Sequence, residues 1–271
     1  MSAPMMQRHA AGFGLIEVMI SIVISLIVIL AVTGLYLTQK SAYSTQGALS
    51  RVQEDARYLM RVMTHDLRLS GYRDVDATTT FPTGPNGSKL FIDAQNDVGL
   101  HASDALTLQF YGASDTSGAI DGSIRDCLGN TIGRDTVVAQ TYSVQTDPVS
   151  LEPALYCTIG LISAPLVSGV DSLQMLFVVD VDGGGTRFSY QPAGVADISK
   201  AVSVLVSAVL RSNTIDNVKP ATAPVFNHFG TQYAPGNVAP NTDAGSVFRP
   251  DNDGRLRKRV TFSVALRNRL D

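Results

Sequence analysis

The sequence predicts an α+β fold: one long N-terminal helix, transmembrane and then amphipathic, packed on an antiparallel β-sheet head. Three observations predict it. Val18 to Leu37 is an apolar run without a single charge, and about 20 residues at ~1.5 Å rise cover a hydrocarbon core of ~30 Å. No proline occurs between Phe13 and Gly71, and Leu49, Val52, Ala56, Leu59, Met63 and Leu67 recur at spacings of three and four, the mark of a helix with one apolar face. Beyond Gly71 the apolar residues alternate instead, as in Val202–Arg211 and Arg257–Arg267, which is the period of strands.

Glu17 stands at the start of the apolar run. A carboxylate at the centre of a membrane helix costs roughly 2.5–3.5 kcal/mol; near the edge it costs less. A charge kept there is a functional candidate by default. Ahead of the run come Arg8, His9 and then Gly12-Phe13. An ordinary secretory signal is cut after its apolar region, whereas here the basic part ends on a glycine directly before it. Gly12, Phe13 and Glu17 at this spacing resemble the type III signal of type IV pilins and pseudopilins. The resemblance implies that a membrane prepilin peptidase cuts between Gly12 and Phe13 and N-methylates Phe13, and that Glu17 is the family's glutamate. In a bundle of such helices its carboxylate meets the charged amine of a neighbouring Phe13. Each group is costly alone in an apolar setting, so the pair fixes the register of one subunit on the next. The plainer alternative is a signal anchor whose Glu17 merely reaches the interface.

The domain boundaries expected on this reading are a leader at 1–12, the transmembrane half of the helix at 13–37, its amphipathic half at 38–70 and a β-rich head at 71–271. Arg51, Glu54, Arg57, Arg61 and Arg68 fall mostly off the apolar stripe, and Ser70-Gly71-Tyr72 supplies the stop. Arg8 before the span and Lys40 after it orient the chain only weakly. With the type III signal the expectation is an inner-membrane protein, N-terminus cytoplasmic and head periplasmic, extracellular once assembled. A net charge of −3 with pI near 5.8 argues against a general polyanion binder. In an oxidising compartment the only two cysteines, Cys127 and Cys157, suggest one disulfide, two buried thiols being the alternative. Closing that loop is worth roughly 3.5 kcal/mol in the chain-entropy model.

Residues 74–100 read as loop. Strands are expected at Leu106–Phe110, Val137–Ser143 and Ala154–Thr158, with a polar stretch from Asp115 to Arg134. Val170–Val179 and Thr186–Tyr190 flank the glycine turn Asp180-Val-Asp-Gly-Gly-Gly185 and read as a hairpin. Asp180 and Asp182 invite a calcium reading, but the further ligands of an EF-hand loop are missing, so a plain turn is favoured. Residues 212–254 form a long loop rich in Pro, Asn and Gly, of a length that is usually functional or mobile. In the last strand Val260, Phe262, Val264 and Leu266 face in, while Arg257 and Arg259 face out.

Several stretches narrow the family. They are Tyr43–Gln46, Leu49–Glu54, Asp66–Arg68, Gly71-Tyr72, VSGVDSLQMLFVVDVDGGG, Val209–Ser212, Arg259–Phe262 and Ala265–Asn268. In this order they resemble PilW-type minor pilins. The resemblance implies a minor pilin that primes pilus assembly and ends near the filament tip, supporting twitching, adhesion or DNA uptake. Its expected partners are other minor pilins, the major pilin, the prepilin peptidase, the inner-membrane assembly platform and a tip adhesin. A minor pseudopilin of a type II secretion system is the runner-up. A membrane-anchored binding module is the other class, with Arg255, Arg257, Lys258 and Arg259 as a nucleic-acid patch; a solvated edge that discourages strand pairing is its bland reading. No hydrolase elbow, phosphate loop or metalloprotease motif occurs, no cofactor is expected, and His9, His65, His101 and His228 are too scattered for a metal site. His65-Asp66 reads as a polar pair on the exposed side of the helix.

Overall fold

In the computed structural model α1 is an α-helix over Leu15–Leu69. Residues 14–80, 91–215 and 224–267 are described. The chain divides into two units, Met1–Gly47 and Ala48–Asp271, so the amphipathic half of α1 belongs with the head. In the first unit the apolar half of α1 is exposed along its whole described length. Its hydroxyls are bonded inside the helix: Ser21, Ser25, Thr33 and Thr38 each donate to the carbonyl four residues earlier, at 2.7–3.0 Å. With no water to serve them, polar groups in lipid must be satisfied in this way.

In the second unit α1 buries Val52, Ala56, Leu59, Met63 and Leu67, as the stripe predicts, with Leu49 left exposed. The helix ends at Leu69. Gly71 takes a left-handed conformation (φ 73°) and its N–H donates to Gln109 O at 2.8 Å, which ties the helix end to the first sheet.

That sheet has five antiparallel strands in chain order: β1 (Ile92–Gln95), β2 (Ala105–Tyr111), β3 (Val137–Thr146), β4 (Pro153–Ile159) and β5 (Ile162–Ser168). The second has four antiparallel strands in the order β11-β8-β6-β7: β6 (Val170–Asp180), β7 (Phe188–Pro192), β8 (Ala201–Ile215) and β11 (Arg255–Ala265). One core gathers the helix stripe and the inner faces of both sheets, including Leu106, Leu108 and Leu155 from the first and Leu173, Phe177 and Val206 from the second. β1 corrects the reading of 74–100 as loop throughout. Its four residues (Ile92-Asp-Ala-Gln95) alternate buried and exposed, too few for the pattern to stand out. β5 was not expected either; it carries Pro165 and is largely exposed, as an edge strand can be.

The two sheets differ on their outer faces. That of the first sheet is polar, with Thr107 bonded to Thr141 and Thr158 to Ser163, each at 2.8 Å. That of the second is covered by residues 224–254, where β9 (Phe226–Asn227) pairs with β10 (Val247–Phe248). Tyr233 and Ala239 pack on Leu176, with Leu205 beside them. His228 is buried between Ser172 and Ser207, 3.0 Å from each hydroxyl. Gly245 passes so close that an added Cβ would lie 2.1 Å from Ala102 O. Of the long loop predicted at 212–254, residues 212–215 instead continue β8, and the described remainder, 224–254, is a cover on the sheet.

Candidate functional site

Glu17 sits in the first turn of α1, its N–H donating to Gly14 O at 3.0 Å. Its side chain is exposed, and among the described residues nothing pairs with its carboxylate. It is the only charged residue from Gly14 to Gln39. The position suits an anion, because free N–H groups at a helix start carry partial positive charge. Gly12 and Phe13, the expected cleavage and methylation positions, lie outside the described residues.

In the head, the disulfide Cys127–Cys157 is present, with Cα atoms 6.4 Å apart. It ties the polar stretch after β2 to β4. A buried polar cluster lies beside it: Gln140 Oε1 accepts from Cys127 N at 2.9 Å, and Gln140 Nε2 donates to Asp66 at 3.1 Å. Tyr142 also donates to Asp66. Burial, and then the Asp66 carboxylate, push the Tyr142 hydroxyl well above the ordinary tyrosine range. Helix, sheet and disulfide loop are thus joined at one carboxylate. The reading of His65-Asp66 as an exposed polar pair holds for His65 alone. Asp66 adjoins Met63 and Leu67 on the buried face of α1, and that phase was the available signal.

The basic patch requires correction. Arg257 is only 4% exposed; it binds Asp171 Oδ2 through Nε at 2.6 Å and grips Asp253 with both terminal nitrogens at 2.7 and 2.8 Å. Arg255 binds Glu152 at 2.8 Å, and Arg211 binds Glu152 as well. Arg211 Nη1 also lies 3.3 Å from Asp171 Oδ1, close enough for charge pairing though not aligned as a hydrogen bond. Three arginines and three carboxylates balance. Two register irregularities build this clasp. A bulge at Asp171 separates Val170↔Leu210 from Ser172↔Val209, and β11 slips against β8 between Arg255 and Arg257. Arg257 holds the Asp253 carboxyl down at about 2. Only Lys258 and Arg259 are exposed, and Arg259 donates to Asn227 O. Four outward cations therefore do not form a phosphate-binding surface here.

The Asp180–Asp182 turn is built as a turn. Asp180 accepts from Gly183 N and Gly185 N, both at 3.0 Å, and Asp182 accepts from Gly184 N and the Thr186 hydroxyl. Among the described residues no group of three or more His, Cys, Asp or Glu is placed to hold a metal ion.

A second set of carboxylates holds the cover. Asp97 accepts from Ala244 N and Gly245 N, at 3.0 and 3.1 Å. Asp243 accepts from the Tyr233 hydroxyl at 2.8 Å. Asp104 accepts from Asp97 N and Met175 N, yet burial, reinforced by Asp243 and Asp97, pushes it up to about 8. Burial, reinforced by Arg259, lowers His228 to about 3.

The prokaryotic N-terminal methylation motif matches residues 7–33, which include Gly12, Phe13 and Glu17. The family model for type IV pilus-assembly protein W (PilW) matches residues 141–268, from within β3 to just past β11. The chain carries a PilW domain behind a type IV pilin methylation motif, which supports a type IV pilus minor pilin of PilW type. Among solved structures, a type IV-like pilin from Thermus thermophilus aligns over 81% of this chain and 99% of its own, at 16% identity and a TM-score of 0.45. A comparison with curated proteins returned no match. A PilW-type pilin carrying this motif is membrane-anchored through its apolar helix, and the family is a structural one. The pilin-like α+β fold expected from the sequence is the fold observed.

Proposed function

We propose that this pilin takes part in priming type IV pilus assembly with other minor pilins and sits in or near the filament tip. Cleavage after Gly12 and methylation of Phe13 leave Glu17 four residues from a charged amine. The observation that carries the reading is Glu17 itself: an exposed carboxylate, unpaired among the described residues, at the head of the otherwise uncharged apolar half of α1. Such a group is stabilised by an amine from a neighbouring helix, and that requirement amounts to subunit registration. The protein acts by packing rather than catalysis. Its head is periplasmic before assembly, and its partners are the other pilins, the prepilin peptidase and the assembly platform. The PilW match over residues 141–268 supports a pilus over a type II secretion system.

The test is the mass and first residue of protein purified from its own membrane, followed by co-purification with and without Glu17→Ala. A start at N-methylated Phe13 and loss of pilin partners in Glu17→Ala are expected. A start at Met1, or partners retained in full by Glu17→Ala, would overturn the reading.

A further inference from the structure

At the far end of the apolar run three polar heads line up. Tyr36, Lys40 and Tyr43 are spaced four and three residues apart. At ~100° per residue they share one face of α1 within about 60°. All three are exposed, Tyr36 at 62% and Tyr43 at 81%. Ser21, Ser25, Thr33 and Thr38 have their hydroxyls satisfied inside the helix. Tyr36, Lys40 and Tyr43 have no hydrogen bond or ion pair among the described residues. The polar chemistry therefore changes here from self-satisfied to outward-seeking.

The position is metric as well. Lys40 is the first charge after Glu17, and 23 residues of helix put the two ~35 Å apart, just more than one hydrocarbon thickness. Tyrosine rings favour the boundary between acyl chains and headgroups, and lysine reaches its ammonium outward from there.

We propose that Tyr36, Lys40 and Tyr43 form a docking stripe for the phosphate and glycerol-ester groups of membrane phospholipids, fixing how deep the helix rests. Lys40 takes the phosphate, and the two tyrosines donate hydroxyl hydrogens to ester and phosphate oxygens on either side of it. The inference rests on reading the apolar half of α1 as the membrane anchor. It adds a defined resting depth, which the helix must abandon to leave the bilayer.

The chain has no tryptophan, so single reporters are clean. The full chain, as Tyr36→Trp, Tyr43→Trp or Ile27→Trp, is reconstituted in phosphatidylcholine vesicles with or without phosphatidylglycerol. The quenchers are lipids brominated either near the headgroup or near the chain ends. The expected result is deep quenching for Ile27→Trp and headgroup-level quenching for the other two. The Tyr43→Trp signal should strengthen with phosphatidylglycerol, and adding Lys40→Gln should abolish that gain. Deep quenching at 36 and 43, or no response to Lys40→Gln, would overturn the stripe while leaving the anchor intact. Escape from both quenchers that reverses on dilution into more lipid would also overturn it, because the stripe would then face a second copy. Failure of the chain to float with vesicles, with Ile27→Trp unquenched, would remove the anchor and the proposal with it.

Discussion

The two sheets of the head share one core and are secured by opposite means. The first sheet leaves its outer face polar and is tied by a covalent bond, Cys127–Cys157, with Asp66 bracing helix against strand. The second is covered on both faces, and what holds it is ionic or titratable: the clasp around Asp171, the His228 slot and the Asp97–Asp104–Asp243 group. A sheet solvated on one side tolerates a simple alternating pattern. A sheet covered on both sides must supply a partner for every polar group it buries. The first should therefore answer to reductant and the second to charge and pH.

The largest expected effect is at the clasp. Asp171→Ala leaves Arg257 buried without its closest carboxylate and should cost about 3–5 kcal/mol in urea unfolding. A loss under 1 kcal/mol would show that the second sheet does not depend on the clasp. Reduction of the disulfide comes next, at roughly 3.5 kcal/mol in the chain-entropy model, measured by thermal melts with and without dithiothreitol; an unchanged Tm would remove the covalent half of the contrast. Asp66→Ala leaves Tyr142 and Gln140 without a shared acceptor and should cost about 1–3 kcal/mol; a neutral variant would mean the core can repack around them.

The smallest and sharpest effect is the pH profile. Asp104 is raised from 3.8 to about 8, so its contribution is complete below pH 4 and is lost as pH rises to 8. His228 is lowered from 6.5 to about 3, so its contribution is complete above pH 6.5 and is lost as pH falls toward 3. Between about pH 4 and 6.5 the two oppose each other, and above pH 6.5 Asp104 acts without that opposition. Stability should hold level between about pH 4 and 6.5 and then decline toward pH 8 by at most about 1.4 kcal/mol per unit. Asp104→Asn should flatten that decline. A decline that the substitution leaves untouched would place its cause elsewhere.

Patterns of period and punctuation made most of this legible. The helix stripe, the Gly71 stop, the strands around Leu106, Val144, Leu173, Val204 and Val264, the disulfide and the Asp180 turn all follow from local rules. What escaped depends on residues far apart in the chain. The alternation of β11 put Arg257 outside, and only the bulge at Asp171 and the slip beside Arg255 bring the two together. His228 lies between Phe226 and Phe229, yet its partners Ser172 and Ser207 come from other strands. Glu17 was legible because its oddity is local, a carboxylate in an apolar run.

β8 ends at Ile215 and β11 begins at Arg255, and the two are antiparallel neighbours paired over most of their length. Topologically, everything between them is the loop of a single hairpin, however much of the sheet it roofs. Loop length adds little to the entropy of closing such a hairpin. Its length is therefore free to vary where its content is not: Asp253 closes the clasp, and His228 and Tyr233 seat on the sheet. Only the stretches between those anchors can be exchanged while strand order and the helix-facing core stay the same.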